Sequence, residues 1–277
     1  MMWIRSMPVR LFPRLFMRTR FLVTYGRLPD LDNPKSLYEK LIWINRWVHN
    51  PLMETCTDKL AVRDYVSNLG LGHTLNELIS AYETPDDIDF DELPDSFVLK
   101  CTHGSGMNIV VADKTSLDIK KTRATLKKWM KFNYYHMYGE KQYRHIQPRI
   151  ICEKYLGNDI MDYKVYCFNG KPAYIMLCTG RNSESLKWYL YDFDWTYIPF
   201  LKKHLPNPGF EKPGNLHEIY DYCQNLSSGF IFARVDFYLL DSRIVFGEIT
   251  FTPSAFMDNE TTDEINLEMG SLINLQG

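Results

Sequence analysis

The stretch FARVDFYLLDSRIVFGEITFTP, residues 232–253, constrains this chain more than any other. Two runs of alternating β-branched and aromatic residues flank Asp241-Ser242-Arg243, which predicts an antiparallel β-hairpin. Side chains alternate between faces along a strand. Arg234 and Asp236 therefore share one face of the first strand, and Glu248 and Thr250 one face of the second. With a three-residue loop at 241–243, Asp236 stands opposite Glu248 and Arg234 opposite Thr250. Two carboxylates directly across a ladder repel each other unless a cation lies between them. Oxygen donors with no His or Cys nearby suit Mg2+, and a site of one or two carboxylates leaves room for a nucleotide's phosphates. The same pattern also fits an edge hairpin whose acids face solvent and never meet; the loop sets the register that decides between the two.

At 277 residues the chain exceeds a usual single core, so two lobes around a cleft are expected. Apolar residues at 45% and charged residues at 24% fit a soluble globular enzyme, and a net charge of −2 gives no reason to expect nucleic acid as a partner. The charge is unevenly spread. Residues 1–29 hold six arginines and no acid, interleaved with an apolar spine from Trp3 to Leu22. Without a small-residue cleavage site this is not read as a secretory signal. It fits either peripheral contact with an anionic membrane surface or a helix packed on the body, with Pro8 and Pro13 limiting any long amphipathic face. Nothing is apolar for long enough to span a bilayer. Six cysteines with no CxxC pair point to reduced thiols and a cytoplasmic setting, with contact through residues 1–29 placing the chain at the inner face of the membrane.

Along the chain, apolar spacing predicts helices over 36–49 and 57–69, the second capped by Thr57 or Asp58. A short strand or loop follows at 75–82, then an acidic connection over 85–95 with a brief helix. FVLKCTHGSGMNIVVAD, residues 97–113, reads as strand, glycine-bearing loop, strand, unlike the nucleotide loops whose glycines open onto a helix. Gly104, Ser105 and Gly106 can bring backbone N–H groups close to phosphate oxygens, and Lys100 offers a charge to the same group; an ordinary hairpin turn is the plainer alternative. A basic helix over 116–132, opening at Ser116 or Thr115, leads into Tyr134, Tyr135, Tyr138 and Tyr143, which suits a solvated face beside an aromatic cluster or the docking of an acidic glycan. Strands at 149–156, 162–168 and 172–178, with a turn at Asn169-Gly170, give antiparallel sheet. Asp192 and Asp194 can mark a nucleotide-sugar metal motif or simply a turn before Trp195. A loop over 202–214 and a helix capped by Asn215 complete the string.

The order of these pieces is informative. Asp58-Lys59 at a helix start, FVLK then HGSG, IICEKYL, DYKVYCFNGKP, and R-x-D followed by E-x-T together resemble the ATP-grasp superfamily over residues 30–260. The PKSLYEK entry, the FVLKCTHGSG loop and the GEITFTP ending resemble its TupA-like branch, which occurs in bacterial surface-polysaccharide loci. The resemblance implies an α+β fold of two α+β lobes with mainly antiparallel sheets enclosing a nucleotide cleft. Its expected segments are a basic stretch 1–30, a helical region 31–84, a small lobe with a glycine-rich flap 85–149 and a large lobe with the metal site 150–277.

It also implies ATP and Mg2+ as cofactors. Lys100 resembles the strand lysine on the phosphates, and Gly104, Ser105 and Gly106 the loop that closes over them. Glu153, Lys154, Tyr155 and Leu156 match the hinge beside adenine and ribose, with Asp162 and Lys164 near the nucleotide. Asp236 and Glu248 match the metal ligands, with Thr250 where the superfamily usually has Asn, and Arg234 the residue on the transferring phosphoryl group. The implied activity is an ATP-dependent carboxylate–amine ligase acting through an acyl phosphate, on a carboxylate-bearing glycan or sugar nucleotide and an amine or amino acid. A glycosyltransferase, a phosphotransferase and a nucleotide-binding scaffold without turnover are the alternatives.

Overall fold

The computed structural model describes residues 13–158, 160–180, 186–240 and 243–276. Residues 1–12 of the basic segment and Asp241-Ser242 of the hairpin loop lie outside the described residues. In chain order the first elements are α1 (Pro13–Tyr25), α2 (Leu37–Trp47), α3 (Leu52–Thr57), α4 (Val62–Asn68), β1 (Leu78–Tyr82), β2 (Phe97–Cys101), β3 (Asn108–Val111), α5 (Ile119–Met130) and α6 (Tyr134–Tyr138). They are followed by β4 (Ile150–Lys154), β5 (Asp162–Phe168), β6 (Lys171–Thr179), β7 (Lys187–Asp192), β8 (Tyr197–Ile198), α7 (Leu216–Ser227), β9 (Phe232–Leu240), β10 (Arg243–Thr250) and α8 (Asp263–Ser271).

The chain divides into two compact units, residues 50–158 and residues 1–49 together with 159–277. Helices α3 and α4 go with the sheet of the 50–158 unit, while α1 and α2 go with the larger sheet.

The 50–158 unit is built on a four-stranded antiparallel sheet in the order β1-β4-β2-β3. Phe97, Leu99 and Cys101 alternate inward along β2 and meet Ile150 and Cys152 of β4 and Leu126 of α5 in one apolar cluster. That alternation is the half-buried strand signal and accounts for the opposite face being left to Lys100. Helix α5 starts at Ile119, three residues after the expected opening, because the side chain of Asp118 accepts the N–H of Lys121 and caps it there. Of the helix expected over 57–69, residues 62–68 form α4, and a separate helix not expected from the sequence, α3, ends at Thr57. The Asp58 carboxylate accepts the N–H groups of Leu60 and Ala61 in the turn before α4.

The other unit carries a six-stranded antiparallel sheet in the order β10-β9-β5-β6-β7-β8. Every residue of β5 is buried, as expected of a central strand covered on both faces. Helix α7, between β8 and β9 in the chain, packs on β5, β6 and β9 and buries Ile219, Cys223 and Leu226. Tyr166, Phe168, Tyr174 and Phe232 join Phe16, Phe21, Leu41 and Met269 in a single core with α1, α2 and α8. Asn169 and Gly170, with φ of 48° and 76°, make the tight turn that matches strand twist between β5 and β6. The face of β5 that begins with Phe168 and Tyr166 in this core continues to Lys164 and Asp162, so apolar packing gives way to charge along one strand.

Candidate active site

In the larger unit, β5, β9 and β10 bring six of the expected site residues onto one face. Lys164 of β5 is paired with Asp236 of β9, which is paired in turn with Glu248 of β10; Arg234 is paired with Thr250. The expected pairing of the hairpin is thus found, but its cause differs from the three-residue loop. Arg243 already pairs with Leu240, a register that would carry Asp236 opposite Gly247 and turn Glu248 to the other face. An irregularity between Phe246 and Glu248 inserts one extra residue, Gly247, and corrects the register before the acid arrives. A Cβ at Gly247 would lie 2.9 Å from the carbonyl oxygen of Asp236, so the close approach needs glycine.

The charges on this face are tightly interlocked. Asp236 is only 3% exposed, and Arg234 donates to it from Nε at 2.7 Å and from Nη2 at 2.8 Å, while Lys164 donates to the same carboxylate. Burial would raise the Asp236 pKa, but Arg234 and Lys164 outweigh it and hold the group below the usual carboxylate range. Burial likewise works against the charge on Arg234, and Asp236 more than restores it. Lys164 also lies 3.6 Å from Asp162. Arg234 Nη2 donates to Thr250 Oγ1 at 3.1 Å, and Thr250 donates to Glu248 Oε1 at 3.3 Å. Glu248 is the more open acid, with its side chain 38% exposed.

Three carboxylates thus share a face with two cations, and the donor set is entirely oxygen on the acid side. That chemistry fits Mg2+, which takes one or two carboxylates and fills its remaining positions with water and phosphate oxygen. No group of three or more His, Cys, Asp or Glu side chains able to hold a metal occurs among the described residues. Asp236, Glu248 and Thr250 are the residues that could hold Mg2+.

In the 50–158 unit a second cluster forms around Glu153 of β4, which pairs with Val98. Lys100, two residues along β2 on the same face, donates to Glu153 Oε2 at 2.7 Å. Arg63 of α4 donates to Oε1 at 3.1 Å and, through its other nitrogen, to the carbonyl of Asn76 at 2.7 Å. After Lys154 the chain leaves the sheet. Lys154 is exposed, its carbonyl accepting from Asn76 and its N–H donating to Glu77, and Tyr155 donates to the side chain of Asn158. Leu156 is half-buried.

The glycine-bearing loop between β2 and β3 is held at its carbonyls. Lys59 donates to the carbonyl of Gly104 at 2.7 Å and Tyr134 to that of Ser105 at 2.7 Å. Gly104 packs against Met107 and the Tyr134 ring so closely that a Cβ would lie 2.9 Å from the sulfur, and Gly106 has φ of +70°. Ser105 and Gly106 are exposed.

Sequence reasoning did not find Arg63 or Gly247, and placed Tyr134 in an aromatic cluster without its bond to the loop. A buried Glu on a strand requires a cation, but which of several arginines serves is a tertiary fact. Gly247 did carry a signal, since a glycine inside a strand pattern marks a bulge. Asp192 accepts the N–H of Thr196 at 2.8 Å, and Trp195 has φ of 70°, so this acid stabilises the turn between β7 and β8.

The fold is that of the ATP-grasp ligases. The structure matches D-alanine–D-alanine ligase from Bacillus anthracis at a TM-score of 0.50 and 17% identity, covering 79% of this chain and 64% of that one. The ATP complex of the same ligase gives 0.51 and 16% identity, over 79% and 63%. An L-amino acid ligase from Bacillus licheniformis gives 0.50 and 13% identity, over 86% and 55%. The chain spans less than two thirds of the length of these proteins. In sequence, residues 39–274 match the TupA-like ATP-grasp model, and the chain belongs to that family. No curated protein matches it.

Proposed function

We propose that this chain is an ATP-dependent carboxylate–amine ligase that works through an acyl phosphate. Its product would be an amide of an amino acid or amine with a uronic-acid or peptide carboxylate, in a capsular, teichuronic or O-antigen precursor. The observation that carries the reading is the face shared by Lys164, Arg234, Asp236, Glu248 and Thr250, where cations stand bonded to the acids that would hold Mg2+. Bound Mg2+ offsets the charge that builds on the transferring phosphoryl oxygens. Asp236 and Glu248 would orient it, leaving Arg234 and Lys164 to turn their donors from carboxylate to phosphate. In the other unit, Lys100 would shift from Glu153 to the nucleotide phosphates, with Arg63 keeping Glu153 charge-paired as it does so. The N–H groups of the loop at Gly104, Ser105 and Gly106 would close over the phosphates and exclude water from the acyl phosphate.

A carboxylate oxygen of the substrate attacks the γ-phosphorus and ADP leaves; the amine nitrogen then attacks the acyl carbon, phosphate leaves and the nitrogen gives up a proton. No protein nucleophile is required. Ligation of amino acids by the two bacterial ligases of the same fold supports the reaction class. The test is ADP release by the purified chain with Mg2+ and ATP over panels of uronic acids and amines. Release that requires both substrates is expected. Release without any amine, giving a stable phosphorylated product, would replace the ligase reading with a phosphotransferase. Near-normal turnover in Glu248→Gln would remove the proposed metal role.

A further inference from the structure

Helix α1 turns a mixed apolar and basic face outward. Phe16, Met17 and Phe21 are buried in the core of the larger unit, whereas Leu15, Leu22 and Val23 on the opposite side are 51%, 44% and 54% exposed. At 3.6 residues per turn Leu15, Arg18 and Leu22 form one outward stripe, with the exposed Arg18 between the leucines. Just beyond the helix Leu28 is also largely exposed. The sequence of residues 1–29 contains six arginines and no acid. Arg27 is paired with Glu39 and Arg20 lies over the Phe16 ring, while Arg18 is exposed.

We infer that α1 is a docking surface for an anionic lipid bilayer. Three exposed aliphatic side chains on one helix face form an apolar patch, and the acid-free, arginine-rich segment around them selects an anionic partner. A bilayer with anionic headgroups accepts both halves of the face, with the leucines entering the acyl boundary and the guanidinium remaining among the phosphates. Thirteen helical residues extend about 20 Å, too short to cross the hydrocarbon core of about 30 Å, so the helix lies along the surface. No helix among the described residues is long and apolar enough to cross a membrane.

The inference is independent of the ligase reading. The whole chain is sedimented with vesicles of phosphatidylglycerol and phosphatidylcholine, and separately with phosphatidylcholine alone. Binding to the anionic vesicles that weakens with added salt is expected. In Leu15→Asp/Leu22→Asp binding should fall by at least about tenfold, with Mg-ATP binding and thermal unfolding unchanged. Arg18→Glu should weaken binding most at low salt. Absence of binding to anionic vesicles overturns the inference. So does equal binding by the double variant, or a lipid-independent dimer that the double variant abolishes. If the aspartates unfold the chain, Leu15→Ser/Leu22→Ser decides by the same readout.

Discussion

Asp236 faces Glu248 across β9 and β10 because the strand between Phe246 and Glu248 takes in one residue more than its partner. The extra residue is Gly247, and the carbonyl oxygen of Asp236 lies where its Cβ would be. A larger residue at this point must push the two strands apart at the level of the acids. Gly247→Val should therefore lower Mg-dependent ADP release by about two orders of magnitude while costing roughly 1–3 kcal/mol of stability. Activity and thermal unfolding measured on one preparation check it. Unchanged turnover would mean that the bulge does not set the site.

The two acids of this pair should also separate in what they do for stability. Asp236 is buried between Arg234 and Lys164, so Asp236→Asn leaves two buried cations short of their counter-charge and should cost about 3–5 kcal/mol. Glu248 is partly open to solvent, and Glu248→Gln should cost within about 1 kcal/mol. Denaturant unfolding of both variants is the measurement. Equal losses would contradict the division between an acid held by cations and an acid held open.

How much of this was legible in the chain follows from which interactions are local. The β9–β10 hairpin, the β2–loop–β3 string and the Asn169-Gly170 turn are written in alternation and turn residues, and each lies where the pattern puts it. The pairing of Asp236 with Glu248 was expected from a three-residue loop and arises instead from a bulge, because a sequence fixes the number of residues between two positions but not where the surplus one is accommodated. Asp58 was legible as a cap, and it does accept local N–H groups before α4; that its carboxylate also takes Arg149 at 3.1 Å, ninety-one residues away, was not. The partners of Glu153 and of the loop carbonyls are tertiary in the same way. Long-range ion pairs leave no trace in residue spacing.

Backbone strain predicts an unusual direction of mutational effect. Immediately after β10 and Thr252-Pro253, three successive non-glycine residues, Ser254, Ala255 and Phe256, have φ of 53°, 49° and 69°. An L-residue in this region loses roughly 1–2 kcal/mol, and the wholly buried Phe256 anchors the segment that imposes it. Ala255→Gly removes the Cβ responsible while losing little packing, since Ala255 is half-buried. The variant should be more stable by about 0.5–1 kcal/mol, seen as a rise in midpoint denaturant at constant slope. A fall in the midpoint would show that the strain is not relieved by glycine.

The last prediction concerns acid sensitivity at Glu39. Its side chain is buried at the start of α2, where it completes a capping box with Ser36 and accepts from Arg27, from the N–H groups of Asp30 and Ser36 and from the Ser36 hydroxyl. Burial alone would raise its pKa; these donors outweigh it and lower the group from 4.5 to about 2. A carboxylate whose folded pKa lies below its unfolded one stabilises the fold above the unfolded value and loses that contribution as the pH falls toward the folded value. The window here runs from about 4.5 down to about 2. Glu39→Gln should thus unfold about 2–3 kcal/mol more easily than the parent at neutral pH. The gap should narrow as both are titrated below pH 4.5, where the parent begins to take up the proton. Urea unfolding of the pair across that range tests it. A difference that stays constant with pH would assign the effect to hydrogen-bond geometry and not to the charge.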